Sequence, residues 1–191
     1  MTYRVSFVDF SMQYEGQREK ILKVFNQTMT SGKYILGEPV QKFEKSFAQL
    51  CNTKHAVSVA NGTDALILSM KALGIVPGDE VITVSNSWIS SASSIALVGA
   101  IPVFVDVQPD QNMDSEKLEQ VVTSKTKAVL PVHLTGKCAD MDPILKFAQK
   151  YNLFVIEDAA QAAGSKYKGQ MAGSMGKVGC FSLHPLKNLN C

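Results

Sequence analysis

From Ala56 onward the chain repeats one pattern: a short apolar run rich in β-branched residues, then a stretch with helical spacing, then another apolar run. The runs are AVSVA (56–60), EVITVS (80–85), IPVFVDV (101–107), AVLPVHL (128–134), LFVIEDAA (153–160) and KVGCFSL (177–183). Strands without polar alternation are buried on both faces, the mark of a largely parallel sheet covered by helices. The intervening sequence predicts helices near 63–73, 90–98, 115–123 and 143–150. Repeated strand–helix–strand units then define an α/β fold, a three-layer α/β/α domain with a mostly parallel sheet.

The first 54 residues read differently. A helix is expected near 17–28, then a loop with Gly, Tyr and Pro, SGKYILGEP, then a second helix near 40–50 whose apolar positions recur at three and four residues. The expected division is a helical arm, residues 1–54, packed on a sheet domain, residues 55–191. No internal repeat or low-complexity tract interrupts either part.

Composition narrows the functional classes. A chain of 191 residues is long enough for one well-packed domain. A formal charge of +2 without a dense Lys/Arg block gives no footprint for nucleic acid or a membrane surface. Cys51, Cys138, Cys180 and Cys191 have no CxxC or regular spacing, which fits reduced thiols in a cytoplasmic protein and gives no metal site. The first twenty residues lack the apolar core of a secretory signal. Residues 81–105 carry no charge, but they include six serines, Asn86 and Pro102, and read as a buried strand, helix and strand rather than a membrane span.

In an open parallel sheet, ligands collect beyond the carboxyl ends of the strands, and the polar residues of interest sit where those ends are predicted. Asn61-Gly62-Thr63-Asp64 follows AVSVA: Gly62 permits close backbone approach and the N–H groups at Thr63 suit a phosphate, while a plain helix cap by Asn61 explains the same residues. Trp88, the single tryptophan, offers a flat face for a cofactor ring or fills space between sheet and helix. Asp158 ends an apolar run, so its carboxylate must meet a cation or several donors, while a plain helix N-cap for the following AAQAAGS explains the same residue. Glu157, outward-facing by alternation, is the weaker candidate for that role.

Ser182, on the strand expected before Lys187, offers a hydroxyl to a phosphate or is an ordinary strand serine. Lys187 lies between Pro185-Leu186 and Asn188-Leu189, flanks apolar enough to favour the free amine as a nucleophile. His55, His133 and His184 read as structural imidazoles, with His184 near Lys187. No GxGxxG follows a strand, and GSMGK lacks the spacing and Ser/Thr of a phosphate-binding P-loop.

NGTDAL (61–66), Trp88 in SNSWISS, IEDAAQ (156–161) and CFSLHPLKN (180–188) occur in the order and at the separations of the DegT/DnrJ-type nucleotide-sugar aminotransferases, which the chain resembles from about its tenth residue to its last. The resemblance implies the large domain of a fold-type I transferase dependent on pyridoxal 5'-phosphate (PLP). By that resemblance Lys187 bonds the cofactor aldehyde and later shuttles a proton, Asp158 pairs with the ring nitrogen, Gln161 contacts the ring hydroxyl side and Trp88 stacks on the ring. Relatives that dehydrate sugars carry histidine where Lys187 stands.

The implied reaction moves an amino group from glutamate to a keto carbon of a nucleotide-linked sugar, in a homodimer with shared active sites; TSGKYILGEP is the local candidate for contributing to a neighbour's site, with a plain surface loop as the other reading. Proteins of the family are about twice as long, with a further strand and a small C-terminal domain absent from these residues. The competing expectation is therefore a truncated, non-catalytic remnant that only binds PLP or a partner subunit.

Overall fold

The computed structural model describes residues 8–189. The seven residues that open the chain, part of the stretch read for a secretory signal, lie outside the described residues, as does Cys191. The described chain divides into two compact units, with the boundary between Ser46 and Phe47. The first contains α1 (Phe10–Ser31) and most of α2 (Glu38–Cys51). Asp9 caps α1 by accepting the Met12 N–H at 3.0 Å, and Gly32 ends it in the left-handed conformation at φ 66°. This helix is longer than the predicted 17–28 and buries no side chain.

The second unit is built on five parallel strands: β1 (Glu80–Val84), β2 (Ile101–Val105), β3 (Thr126–Val129), β4 (Phe154–Asp158) and β7 (Val178–Cys180), in the order β2-β1-β3-β4-β7. α3 (Gly62–Ala72) leads into β1, and between the strands run α4 (Ile89–Leu97), α5 (Leu118–Val121) after a 3₁₀ turn at Ser115–Lys117, and α6 (Met141–Tyr151). A two-residue antiparallel hairpin, β5 (Lys166–Tyr167) and β6 (Gln170–Met171), lies outside the main sheet. The apolar runs supply the core, with Val81, Ile82, Ala128, Val129, Leu130 and Ile156 fully buried. The three-layer α/β expectation holds. The uncharged run 81–105 is β1, α4 and β2, and among the described residues no helix is long and apolar enough to cross a membrane.

Three sequence expectations need correction. AVSVA forms no strand among the described residues: 56–60 run as a loop, and Val57 is 79% exposed. Apolar β-branched residues predispose a segment to extend, but a strand exists only where a neighbour accepts from its N–H groups and donates to its C=O groups, and among the described strands β7 is the sheet edge. Consequently His55, expected to open that strand, lies in an exposed loop. IPVFVDV is not buried on both faces, because β2 forms the opposite edge and leaves Ile101 and Phe104 about half exposed. AVLPVHL stops pairing regularly at Val129, where Pro131 offers no N–H; a single bridge between Val132 and Asp158 prolongs the contact.

Candidate active site

The order of the strands creates the site. After β1 the chain turns outward to β2, then returns to place β3 on the other side of β1, so the connections diverge at the β1/β3 boundary. Such a reversal opens a crevice at the carboxyl ends of the strands. Trp88 and α4 follow β1, Leu134 and Thr135 follow β3, Asp158 and Gln161 end and follow β4, and Ser182 and Lys187 follow β7. A cavity of about 300 Å³ there is lined by Leu134, Thr135, Gln161, Leu186, Lys187 and Asn188.

Asp158 is 7% exposed. Its Oδ2 accepts the Ser91 hydroxyl at 2.8 Å and its Oδ1 accepts the Ala160 N–H at 3.2 Å. Both donors are neutral, and among the described residues no cationic side chain lies within ion-pair distance. Burial raises its carboxyl above the usual range; the Ser91 and Ala160 hydrogen bonds, then Lys187 and His133 on the cationic side, pull it back. A buried carboxylate held in this way is suited to a cationic group brought by a ligand. Parallel pairing of Asp158 with Cys180 aligns the carboxylate with the end of β7, the strand that leads to Ser182 and Lys187.

Gly62 meets the same strand end from α3. A Cβ on Gly62 would stand 3.1 Å from Ser182 Cβ and 3.4 Å from Phe181 O, so the helix start and the strand end touch backbone to side chain. Asn61 caps α3 by accepting the Asp64 N–H at 2.9 Å, as the cap reading requires, while the earlier N–H groups of the helix start have no intrahelical partner. The Thr63 hydroxyl lies 2.8 Å from that of Ser90. This close, donor-rich corner fits a phosphate, and with the buried carboxylate and the Lys187 amine at the same crevice these residues fit PLP. Gly62→Ala is expected to weaken PLP retention several-fold by pushing Ser182 away, measurable as a higher dissociation constant in an absorbance titration.

Trp88 does not fill space between sheet and helix. It is 74% exposed at the start of α4, where a ligand can reach it. Gln161 donates through Nε2 to the Leu134 carbonyl, which turns its side chain onto the cavity wall. The flanks of Lys187 are not buried: Leu186 is 58% exposed and Pro185, Asn188 and Leu189 are also exposed, since the segment forms a turn closed by the Lys187 N–H to His184 O bond at 2.8 Å. His184 is exposed, and its Nδ1 accepts the Leu186 N–H.

Glu157 overturns its expectation most plainly. It is fully buried, on the face of the sheet opposite Asp158. Its Oε1 accepts the N–H groups of Met175 (2.7 Å) and Gly176 (2.6 Å), and its Oε2 accepts that of Gly173 (2.7 Å) and lies 3.1 Å from His133 Nε2. His133 Nδ1 accepts the Ala139 N–H, so the ring proton sits on Nε2 and donates to Glu157. The GSMG stretch is therefore an anion nest filled from within the chain. A Cβ on the following Gly179 would approach Gly173 O to 2.2 Å, which shows how tightly this loop lies against β7. Glu157→Gln must point an NH₂ at backbone N–H groups, and is expected to cost about 1–3 kcal/mol, read by chemical denaturation.

Cys51, Cys138 and Cys180 are buried and unpaired. Burial pushes the Cys180 thiol up to about 12, leaving it unreactive beside Asp158. Ser87, Ser90 and Ser91 are the site residues that sequence reasoning missed. Their only signal was the density of serines around Trp88, which does not say which hydroxyl reaches which partner.

Fold and site define a parallel-sheet α/β domain that presents a buried carboxylate and a lysine at the strand ends, the large-domain arrangement of fold-type I transferases. The chain belongs to the DegT/DnrJ/EryC1/StrS aminotransferase family, which it matches over residues 15–191. It is 42% identical over 191 residues to dTDP-3-amino-3,4,6-trideoxy-alpha-D-glucose transaminase of Streptomyces venezuelae, covering 100% of this chain and 50% of that one. It is 43% identical over 188 residues to UDP-2-acetamido-2-deoxy-3-oxo-D-glucuronate aminotransferase of Pseudomonas aeruginosa, covering 98% and 52%. S. venezuelae DesV, solved in complex with a ketimine intermediate, superposes with a TM-score of 0.96 at 42% identity, over 100% of this chain and 52% of that one. The structure of NtdA from Bacillus subtilis, solved with bound cofactor PMP, gives a TM-score of 0.84 at 34% identity, over 91% and 40%. The chain thus spans about half the length of the relatives it matches.

Proposed function

We propose that this chain is the cofactor-binding part of a PLP-dependent aminotransferase that moves an amino group from glutamate to a keto carbon of a nucleotide-linked sugar. The observation that carries the reading is the buried Asp158 carboxylate, held by neutral donors alone, at the crevice where the Lys187 loop lines the cavity. PLP, when bound, supplies an aldehyde for the amino group and a ring that draws electron density from the substrate carbon. Asp158 would hold a proton on the ring nitrogen, Trp88 would cover one ring face, and Gln161 would contact the ring hydroxyl side. Gly62, Thr63 and Ser182 would take the phosphate. Lys187 Nζ would bond the cofactor at rest and, once released, move a proton to and from the substrate carbon.

The names of the relatives support a nucleotide sugar as substrate and leave the donor to chemistry; glutamate is the proposed source. A cytoplasmic homodimer is part of the same reading, with residues 31–39 reaching a neighbour's site. Tyr34, Ile35 and Leu36 are strongly exposed there, as a segment awaiting a partner would be. Borohydride reduction with PLP followed by peptide mapping tests the assignment: the phosphopyridoxyl mass is expected on Lys187, and its appearance on another lysine overturns it.

A second reading rests on the half-length match, that these 191 residues bind PLP or a partner subunit without turnover. Assaying amino transfer from glutamate with the 191-residue chain, beside a polypeptide of the relatives' length, separates the two. Turnover is expected from the longer polypeptide only.

A further inference from the structure

We propose that Ser91, backed by Ser87, is a positioning residue that keeps the Asp158 carboxylate ionised and aimed at its cationic partner. The inference rests on the PLP reading above and adds to it the device that sustains the carboxylate's charge. Ser91 is 1% exposed and lies in the first turn of α4, where its N–H bonds Trp88 O at 3.0 Å. Its Oγ stands 2.8 Å from Asp158 Oδ2 and 2.8 Å from Ser87 Oγ.

Proton counting gives this chain a direction. An ionised carboxylate only accepts, so the single Ser91 proton goes to Oδ2, and the Ser87 proton must then go to Ser91 Oγ. The order Ser87 to Ser91 to Asp158 polarises each hydroxyl toward the negative charge and strengthens the last bond. Ser87 is half-buried, so the relay begins at the edge of solvent. Next door, Ser90 bonds Thr63 at 2.8 Å. The start of α4 is thus tied at once to the helix start proposed for the phosphate and to the carboxylate proposed for the ring nitrogen, which fixes the distance between those two ends.

The groups acting on Asp158 leave this role to a hydroxyl. Lys187, from the loop after β7, and His133, from the loop after β3, favour the charged form when they are themselves charged. Cys180 on β7 stays a thiol, and Glu157 on β4 faces the other side of the sheet. From α3 come Asp64, tied to Asn61, and Lys71 in the last turn. α4 carries no titratable side chain, so from that side Asp158 meets only hydroxyls.

The test measures PLP affinity against pH in the polypeptide carrying these residues, with circular dichroism as the check on folding. In Ser91→Ala the carboxyl loses a donor to its charged form and is protonated up to higher pH. The acid limb of the affinity curve is expected to move to higher pH, with affinity near neutrality falling about tenfold. Ser87→Ala should move the limb the same way by less. Ser91→Cys, nearly the same size with a weaker donor, should fall between parent and alanine, and carries the test if the alanine variant does not fold. Ser91→Ala made on top of Asp158→Asn should cost nothing further. An undiminished cost in that background, or an unmoved acid limb in Ser91→Ala and Ser91→Cys, overturns the proposal while leaving Asp158 in its role. Unchanged affinity in Asp158→Asn alone overturns the ring-nitrogen reading and this inference with it.

Discussion

Lys187→Ala is expected to abolish amino transfer with little effect on folding. The side chain lines a cavity on an exposed turn, and among the described residues it makes no hydrogen bond or ion pair, so no packing or paired charge is lost with it. What is lost is the amine that would hold the cofactor and move the proton; nearby His184 already has its Nδ1 engaged by the Leu186 N–H. Rates should fall by at least about 10⁴-fold, the scale on which removal of an essential nucleophile and proton carrier is felt. The measurement is single-turnover amino transfer in the polypeptide carrying these residues, set beside its thermal unfolding. Activity within tenfold of the parent would end the assignment.

Asp158→Asn comes next in size. The amide keeps the shape and one acceptor, so the Ser91 and Ala160 donors remain partly satisfied and the fold should stand. It removes the charge that would hold a proton on the ring nitrogen. A loss of several kcal/mol of barrier stabilisation corresponds to on the order of 10³-fold or more in rate. Because the parent carboxyl is held above the usual range by burial, the parent reaction should also weaken as pH falls and Asp158 is protonated, whereas the asparagine variant should lack that acid limb. A variant that is as active as the parent, or that keeps the same acid limb, would remove Asp158 from the proposed role.

Much of the fold was legible because its cause is local. Unalternated apolar runs such as EVITV and LFVIE can satisfy both faces only inside a layered sheet, and the helices between them follow from spacing and caps such as Asn61. The failures share one feature, dependence on neighbours far away in sequence. AVSVA has strand composition but forms no strand among the described residues. Glu157 looked outward by alternation, yet an anion nest 16 to 19 residues further along the chain receives it. Trp88 was weighed between packing and a ligand face, and its exposure decides against packing.

The candidate site divides the same way. Asp158 stands out as a carboxylate after an apolar run and Lys187 as a lysine in a loop, but what singles them out from other such residues, and Gln161 with them, is the resemblance of the motifs around them. Ser91 does not stand out, since one serine among six in an uncharged stretch carries no mark of its own. By itself the sequence determined the layered α/β architecture, the placing of polar residues at strand ends and their chemical types, because periodicity and composition act over a few residues. Only the tertiary structure decided the strand order that opens the crevice, the hydroxyl that reaches Asp158 across 67 positions and the burial that perturbs its carboxyl. Those are set by which surfaces exclude water from one another, and that is a property of the packed chain rather than of any segment in it.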